Sequence, residues 1–240
     1  MTAFAECRRR WPALGGLILL TYNTWLWWKP LNGDARIFDG YLSELSAADQ
    51  PHHAVFRGGD LITGLIVVAL GVRTVVLLRR SRPPRARWWW VAGIALLVFG
   101  LSSMVDASVA MDCAPILNES CQAAEERGQL STAHYAHTYS SVGAQAGIVV
   151  SMGAAYVAMR RSRLGIGRAQ GTVLTLGVIE VLALTVMMIM LAAGLPGLGY
   201  PQVVTVLVAS LWFAAVGLGL LGADPGSGVR RFSPKDEYAS

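Results

Sequence analysis

Charge is scarce in this chain. Charged residues fill 15% of its 240 positions, against about 25% in an average soluble domain. Lysine is nearly absent: only Lys29 and Lys235 occur, and neither lies in an apolar run, which excludes a retinal Schiff base in a helix core. The nucleotide-cradling pattern GxxxxGK[ST] is missing, so the chain is no ATPase on its own. HExxH, the stronger zinc-protease pattern, is missing as well. The period-two alternation of barrel strands is not found, nor is an internal repeat. Stretches between apolar runs reach only about thirty residues, which leaves no room for a soluble domain.

What is present is apolar: 54% of residues are hydrophobic and the mean hydropathy is +0.47. The apolar residues gather in six runs, roughly 12–28, 60–78, 88–108, 134–159, 170–193 and 202–222. Each reaches or nearly reaches the ~17–25 residues of a spanning helix. The fold class predicted is therefore all-α, a polytopic six-helix transmembrane bundle. Residues 1–222 form one domain, and the Gly/Ser/Pro-rich, charged tail 223–240 is expected to be a disordered cytoplasmic segment.

Charge placement gives the topology. With the N-terminus inside, cytoplasmic segments hold fifteen Lys and Arg, among them Arg8–Arg10, Arg79, Arg80, Arg82, Arg85, Arg87, Arg160, Arg161 and Lys235. Outer segments hold four: Lys29, Arg36, Arg57 and Arg127. That split follows the positive-inside rule with both termini cytoplasmic in a cell membrane, and with loops 30–59 and 109–133 extracytoplasmic. The pI of 9.4 thus reflects orientation and contact with anionic membrane lipid; no nucleic-acid partner is expected. Trp25, Trp27, Trp28, Lys29 and Pro30 end the first run as an interfacial anchor, which argues for an uncleaved helix. Trp88–Trp90 make the matching inner belt. Cys113 and Cys121 share the second outer loop, where an oxidising exterior permits a disulfide; free surface thiols are the alternative. Cys7 is cytoplasmic. Asn118-Glu119-Ser120 fits a glycosylation acceptor, a short pattern that often matches by chance.

Polar residues inside the runs cluster at one depth. Asn23 and Thr24, Asp60 and Thr63, Ser102, Ser103 and Asp106, and the stripe His134, His137, Ser141, Gln145 all fall in the outer halves of their helices. The last four are spaced to share one helix face. They predict a polar cavity open to the exterior, or else hydrogen bonds that only join helices. His134 and His137, one turn apart, could ligate zinc with Asp106, Asp60 or His52. Such a metal would activate water for lipid hydrolysis; otherwise no cofactor is expected. Glu180, near the middle of the fifth run, is a costly acid and a functional candidate, or else a neutral carboxyl bonded to another helix. Gly143 and Gly147 form a GxxxG read as close helix packing.

The first outer loop is the most motif-like stretch. Ser43 and Glu44 suggest a capped short helix, Pro51 and Gly58-Gly59 mark turns, and His52, His53, Arg57 and Asp60 gather at the membrane surface. Arg57 could meet a lipid phosphate, Asp60 or Glu44. The pattern Tyr41-Leu42-Ser43-Glu44-Leu45, then Gln50-Pro51-His52, then Phe56-Arg57 and Asp60 resembles the bacterial domain-of-unknown-function family 998. Asp106 with Met111-Asp112-Cys113 and Cys121, and Gly199-Tyr200-Pro201-Gln202 before Trp212, fit as well. That family looks related to the six-helix Frag/DRAM/Sfk superfamily. The resemblance, over about 11–222, implies a six-helix bundle with the motif loop outside. Eukaryotic superfamily members are associated with lipid remodelling, but no activity or catalytic residue carries over. A weaker analogy is to membrane ceramidases: Ser43, His52, Asp106, His134 and His137 are the right residue types, but six helices and HxxH stand where those enzymes have seven and HxxxH.

Three functions follow. The first binds or organises membrane lipid through the outer cavity, with Glu44, His52, Arg57, Asp60, Gln145 and Glu180 as ligand-binding candidates. The second is an intramembrane hydrolase drawing on Ser43, Asp106, His134 and His137. The third is a small transporter or export accessory using Glu180. Whether the chain is an enzyme is open at this level. Six helices in one chain suffice for a monomer, and no pattern specifies an oligomer.

Overall fold

The structure, a computed structural model, describes residues 13–81, 86–162 and 167–218. Cys7, Arg8–Arg10, Arg82, Arg85, Arg163, the end of the last apolar run and the tail 223–240 lie outside the described residues. All regular structure among them is helical: α1 (13–21), α2 (His53–Ser81), α3 (Arg87–Ser108), α4 (Glu119–Glu126), α5 (Thr132–Ser162), α6 (Gly167–Ala192) and α7 (Gly199–Leu218). Short helical turns at Thr24–Trp27, Trp28–Leu31, Ala35–Phe38 and Leu42–Ser46 connect α1 to α2.

Five of the described helices, α2, α3, α5, α6 and α7, are long and apolar enough to cross a membrane. Their outward faces carry Leu65, Ile94, Leu101, Val142, Leu182 and Leu211, all exposed, as a helix surrounded by hydrocarbon requires. The first apolar run behaves differently from one continuous helix. It is helical over 13–21 and breaks at Tyr22 and Asn23. Asn23 explains the break: its Nδ2 donates to the Leu19 carbonyl and to Ser210 Oγ, both at 2.9 Å, tying the helix end to α7. Arg79 and Arg80 close the last turn of α2, where cations suit the carbonyl end of a helix.

Helices α2, α3 and α5 form a tight antiparallel frame. Small residues permit it. A Cβ on Gly64 would stand 2.8 Å from the Gly100 carbonyl, and one on Gly147 would stand 2.8 Å from the Phe99 amide. Gly147 therefore packs as the GxxxG predicted, while the Gly64–Gly100 contact joins residues too far apart in sequence for any local motif to reveal. Phe99 and Phe213 meet at 4.5 Å between ring centroids, with Tyr22 edge-on to Phe99 at 5.6 Å. Trp212 Nε1 donates to Ser151 Oγ at 3.0 Å, and the Thr21 and Thr63 hydroxyls meet at 2.8 Å. Helix α6 is peripheral, with 17% of its most apolar window buried against 56% for α7.

Both inter-helix loops stack at one end. The Ala48 amide donates to the Met111 carbonyl at 2.9 Å, and the Ala114 amide to Asp49 Oδ1 at 3.0 Å. Gly197, with φ of +97°, donates its amide to the Asp39 carbonyl at 2.9 Å, so the α6–α7 turn joins the same end. At the opposite end Arg87 and Arg161 lie over Trp88.

Candidate functional site

The loop end holds a small polar cavity. Helix α3 brings Ser103 and Asp106, α5 brings Ser141 and Gln145, α2 brings Asp60, α7 brings Gln202, and the first loop brings Ser43 and Ser46. Tyr22, Trp25 and Phe56 supply aromatic walls. The volume is about 90 Å³. That holds several waters or one small polar group, well short of the ~300–1,000 Å³ that encloses a whole small molecule. Asp106 organises the α3–α5 side. Its Oδ1 accepts from Ser140 Oγ and its Oδ2 accepts from Ser141 Oγ at 2.8 Å. Gln202 Oε1 accepts from the Leu42 amide at 2.7 Å and so fastens the first loop to α7.

The predicted candidates divide. Ser43, Asp60, Asp106 and Gln145 face one cavity. His134 and His137 do not line it. His134 is buried beneath the second loop, where its Nδ1 accepts from the Asp112 amide at 3.3 Å and its Nε2 lies 3.5 Å from Glu125. His137 turns towards the end of α3, with Nδ1 3.2 Å from the Asp106 carbonyl and 3.7 Å from Asp106 Oδ1. His52 is exposed, in a left-handed turn with φ of 54°. Among the described residues no three His, Cys, Asp or Glu side chains converge as a metal-holding group. The serine hydroxyls beside Asp106 donate to that carboxylate rather than to an imidazole.

Arg57 also differs from expectation. Its Nε donates to the Ala107 carbonyl at 2.9 Å and its Nη2 to the Ser108 carbonyl at 3.2 Å. The guanidinium closes the C-terminus of α3, where orphan carbonyls and the helix dipole favour a cation. Asn118 likewise serves structure: its Oδ1 accepts from the Ser120 and Cys121 amides and caps α4. The Cys113 and Cys121 sulfurs come within disulfide distance, with Cα atoms 6.0 Å apart. Asp112 accepts from the Ser131 hydroxyl and amide, which hold its carboxyl below the usual range.

Glu44 is a brace between the loops. The buried carboxylate accepts from the Tyr41 amide at 3.0 Å through Oε1 and from the Ile116 amide at 3.1 Å through Oε2. Burial pushes its pKa up to about 7, against the downward pull of those two amides. The folded chain then holds a proton that the unfolded chain releases near pH 4.5. This contribution to stability is complete below pH 4.5 and is lost as pH rises to about 7, a change of roughly 3 kcal/mol. The thermal midpoint of the purified chain is expected to fall across that window. In Glu44→Gln this component should vanish, and a wild-type midpoint flat from pH 4.5 to 7 would contradict the assignment.

Glu180 lies apart in α6. It is fully buried, and neither carboxyl oxygen finds a hydrogen-bond partner among the described residues. It is within electrostatic reach of Tyr22, as are Asp60 and Asp106. Tyr22, Ser46 and Gln202 line the cavity without having been singled out in the sequence as site residues. The signal available for Gln202 was a polar side chain in the first turn of an apolar helix.

The model of a family described as "Protein of unknown function (DUF998)" matches residues 13–219. No curated protein and no solved structure matches the chain.

Proposed function

The chain belongs to the DUF998 family of proteins of unknown function, and we propose that it is a six-span plasma-membrane protein that binds or organises lipid through the loop-end cavity. The observation that carries this reading is the polar cavity itself, set among helices whose outward faces are apolar. Polar groups at such depth are costly, and in membrane proteins they mark ligand or substrate contacts. A volume of about 90 Å³ suits part of a lipid headgroup while the acyl chains stay in the bilayer. Under native mass spectrometry, the full chain should retain one phospholipid at energies that strip loosely attached lipid. Ser43→Trp, at a half-buried position in the cavity wall, should lose it. Equal retention by a folded Ser43→Trp chain would refute the reading.

In this reading helix 13–21, packed on α7 through Gly15 and Ala214, belongs to the first span. The arginine split puts both termini in the cytoplasm and loops 30–59 and 109–133 outside, where Cys113 and Cys121 oxidise. A membrane-impermeant maleimide on intact cells should label Cys113 and Cys121 only after an impermeant reductant, and Cys7 only after lysis. Labelling of Cys7 on intact cells would reverse the orientation.

A second reading, a small transporter or export accessory, rests on Glu180. A fully buried carboxyl without a partner is a burden to a span that carriage of a proton or cation would account for.

A further inference from the structure

The cavity's chemistry is one-sided. Asp60 and Asp106 present carboxylates, and among the described residues no Lys or Arg lines the space with them. Arg57, the nearest arginine in sequence to Asp60, is turned to the carbonyls that end α3. Among the described residues the Asp60 carboxylate makes no hydrogen bond or ion pair, whereas Asp106 has its two serines. Independently of the acids, Gln145 Oε1 is buried with no hydrogen-bond partner, and Gln145 lines the same cavity. Two carboxylates and an idle amide oxygen are all acceptors. Their complement is a compact cation with several N–H donors. Aromatic faces from Tyr22, Trp25 and Phe56 surround the same volume, and such faces attract organic cations. A bare metal ion would gain little from them.

We propose that the cavity recognises an ammonium group, seated between the Asp60 and Asp106 carboxylates and Gln145 Oε1 against the aromatic wall. This rests on the lipid-binding reading for its source, an amine-bearing phospholipid headgroup, but the recognition chemistry is shared with a free amine. An ammonium offers three donors, which matches the carboxylate of Asp60, the carboxylate of Asp106 and the Gln145 carbonyl. It also supplies a positive charge to the half-buried Asp60 carboxylate, which has no ion pair among the described residues. A phosphatidylglycerol headgroup brings an anionic phosphate and hydroxyls but no cation, so the cavity should discriminate against it.

The test is native mass spectrometry of the full chain in detergent, titrated separately with dioleoyl phosphatidylethanolamine, dioleoyl phosphatidylglycerol and free ethanolamine. Phosphatidylethanolamine should exceed phosphatidylglycerol in occupancy by ten-fold or more, about the worth of one charge-assisted hydrogen bond. Asp60→Asn and Asp106→Asn should each remove that preference, ethanolamine should compete, and the surface variant Asp34→Asn should change nothing. Asp60 holds up no neighbour, so Asp60→Asn carries the test if Asp106→Asn fails to fold. Equal occupancy by both lipids, unaltered in Asp60→Asn, would overturn ammonium recognition and leave lipid binding standing. Asp60-dependent binding of ethanolamine with neither lipid bound would overturn the lipid source and leave ammonium recognition standing. No binding of any probe would overturn both.

Discussion

Gly100→Leu should cost the bundle roughly 3 kcal/mol or more, the upper range for overpacking a close contact. A Cβ at Gly100 would sit 2.7 Å from the Gly64 carbonyl oxygen and 2.8 Å from the Val68 amide. Both are backbone atoms, so no side chain can rotate away. Relief requires α2 and α3 to separate, and α3 also carries Phe99 in the main core and Asp106 at the cavity. The separation would therefore open the frame along its length. Reversible unfolding in mixed detergent micelles measures it. Gly153→Leu is the control: no atom lies within 4 Å of its added Cβ, and removing a mid-helix glycine should be neutral or slightly stabilising. If Gly100→Leu unfolds with Gly153→Leu, the close approach of α2 and α3 is wrong.

Glu180→Met should act in the opposite direction and raise stability by roughly 1–3 kcal/mol, since a buried polar group without a hydrogen bond costs about that much in mutational data. Glu180 is fully buried and both its carboxyl oxygens lack partners among the described residues. Methionine keeps the length and flexibility while removing the oxygens. The same unfolding titration reads the gain. A Glu180→Met chain that unfolds earlier than wild type would show that the carboxyl has a stabilising partner. The variant also probes transport. Reconstituted in proteoliposomes under an imposed proton gradient, a more stable Glu180→Met chain should dissipate the gradient more slowly than wild type, and equal rates would end the transport reading.

The long helices were legible because apolar runs report them directly: 88–108 became Arg87–Ser108 and 170–193 became Gly167–Ala192. Hydropathy was blind to the start of α2. Residues 53–59 mix Ala54, Val55 and Phe56 with His53, Arg57 and two glycines, too short an apolar stretch to register, yet they are helical, so the helix begins seven residues before its apolar run. It also ran past the break at Tyr22 and Asn23, because the bond from Asn23 to Ser210 spans 187 residues. Helical phase grouped Ser141 and Gln145 with Asp106, as their shared cavity requires. The same phase grouped His134 and His137 with them: His137 does come beside Asp106, 3.7 Å from its Oδ1, but neither histidine lines the cavity. The second loop folds across that end of α5, so Asp112 claims His134 and the end of α3 claims His137. Spacing on one helix cannot report what another segment lays over it. Tyr22 and Gln202 were not named as site residues for a related reason, since each reaches the cavity only once the first apolar run and α7 are packed.

Arg57 has one more consequence, for the field that the loop end projects into solution. Ten of the fifteen acidic residues lie at that end against four cations. Arg36 pairs with Asp34, while Arg127 and Arg57 bond to the neutral oxygens of Gln129 and of the carbonyls ending α3, keeping their charge without offsetting the excess of acids. The outward potential is therefore negative. Cationic solutes are steered towards this end and anions away, so the rate at which a cation arrives falls as ionic strength rises.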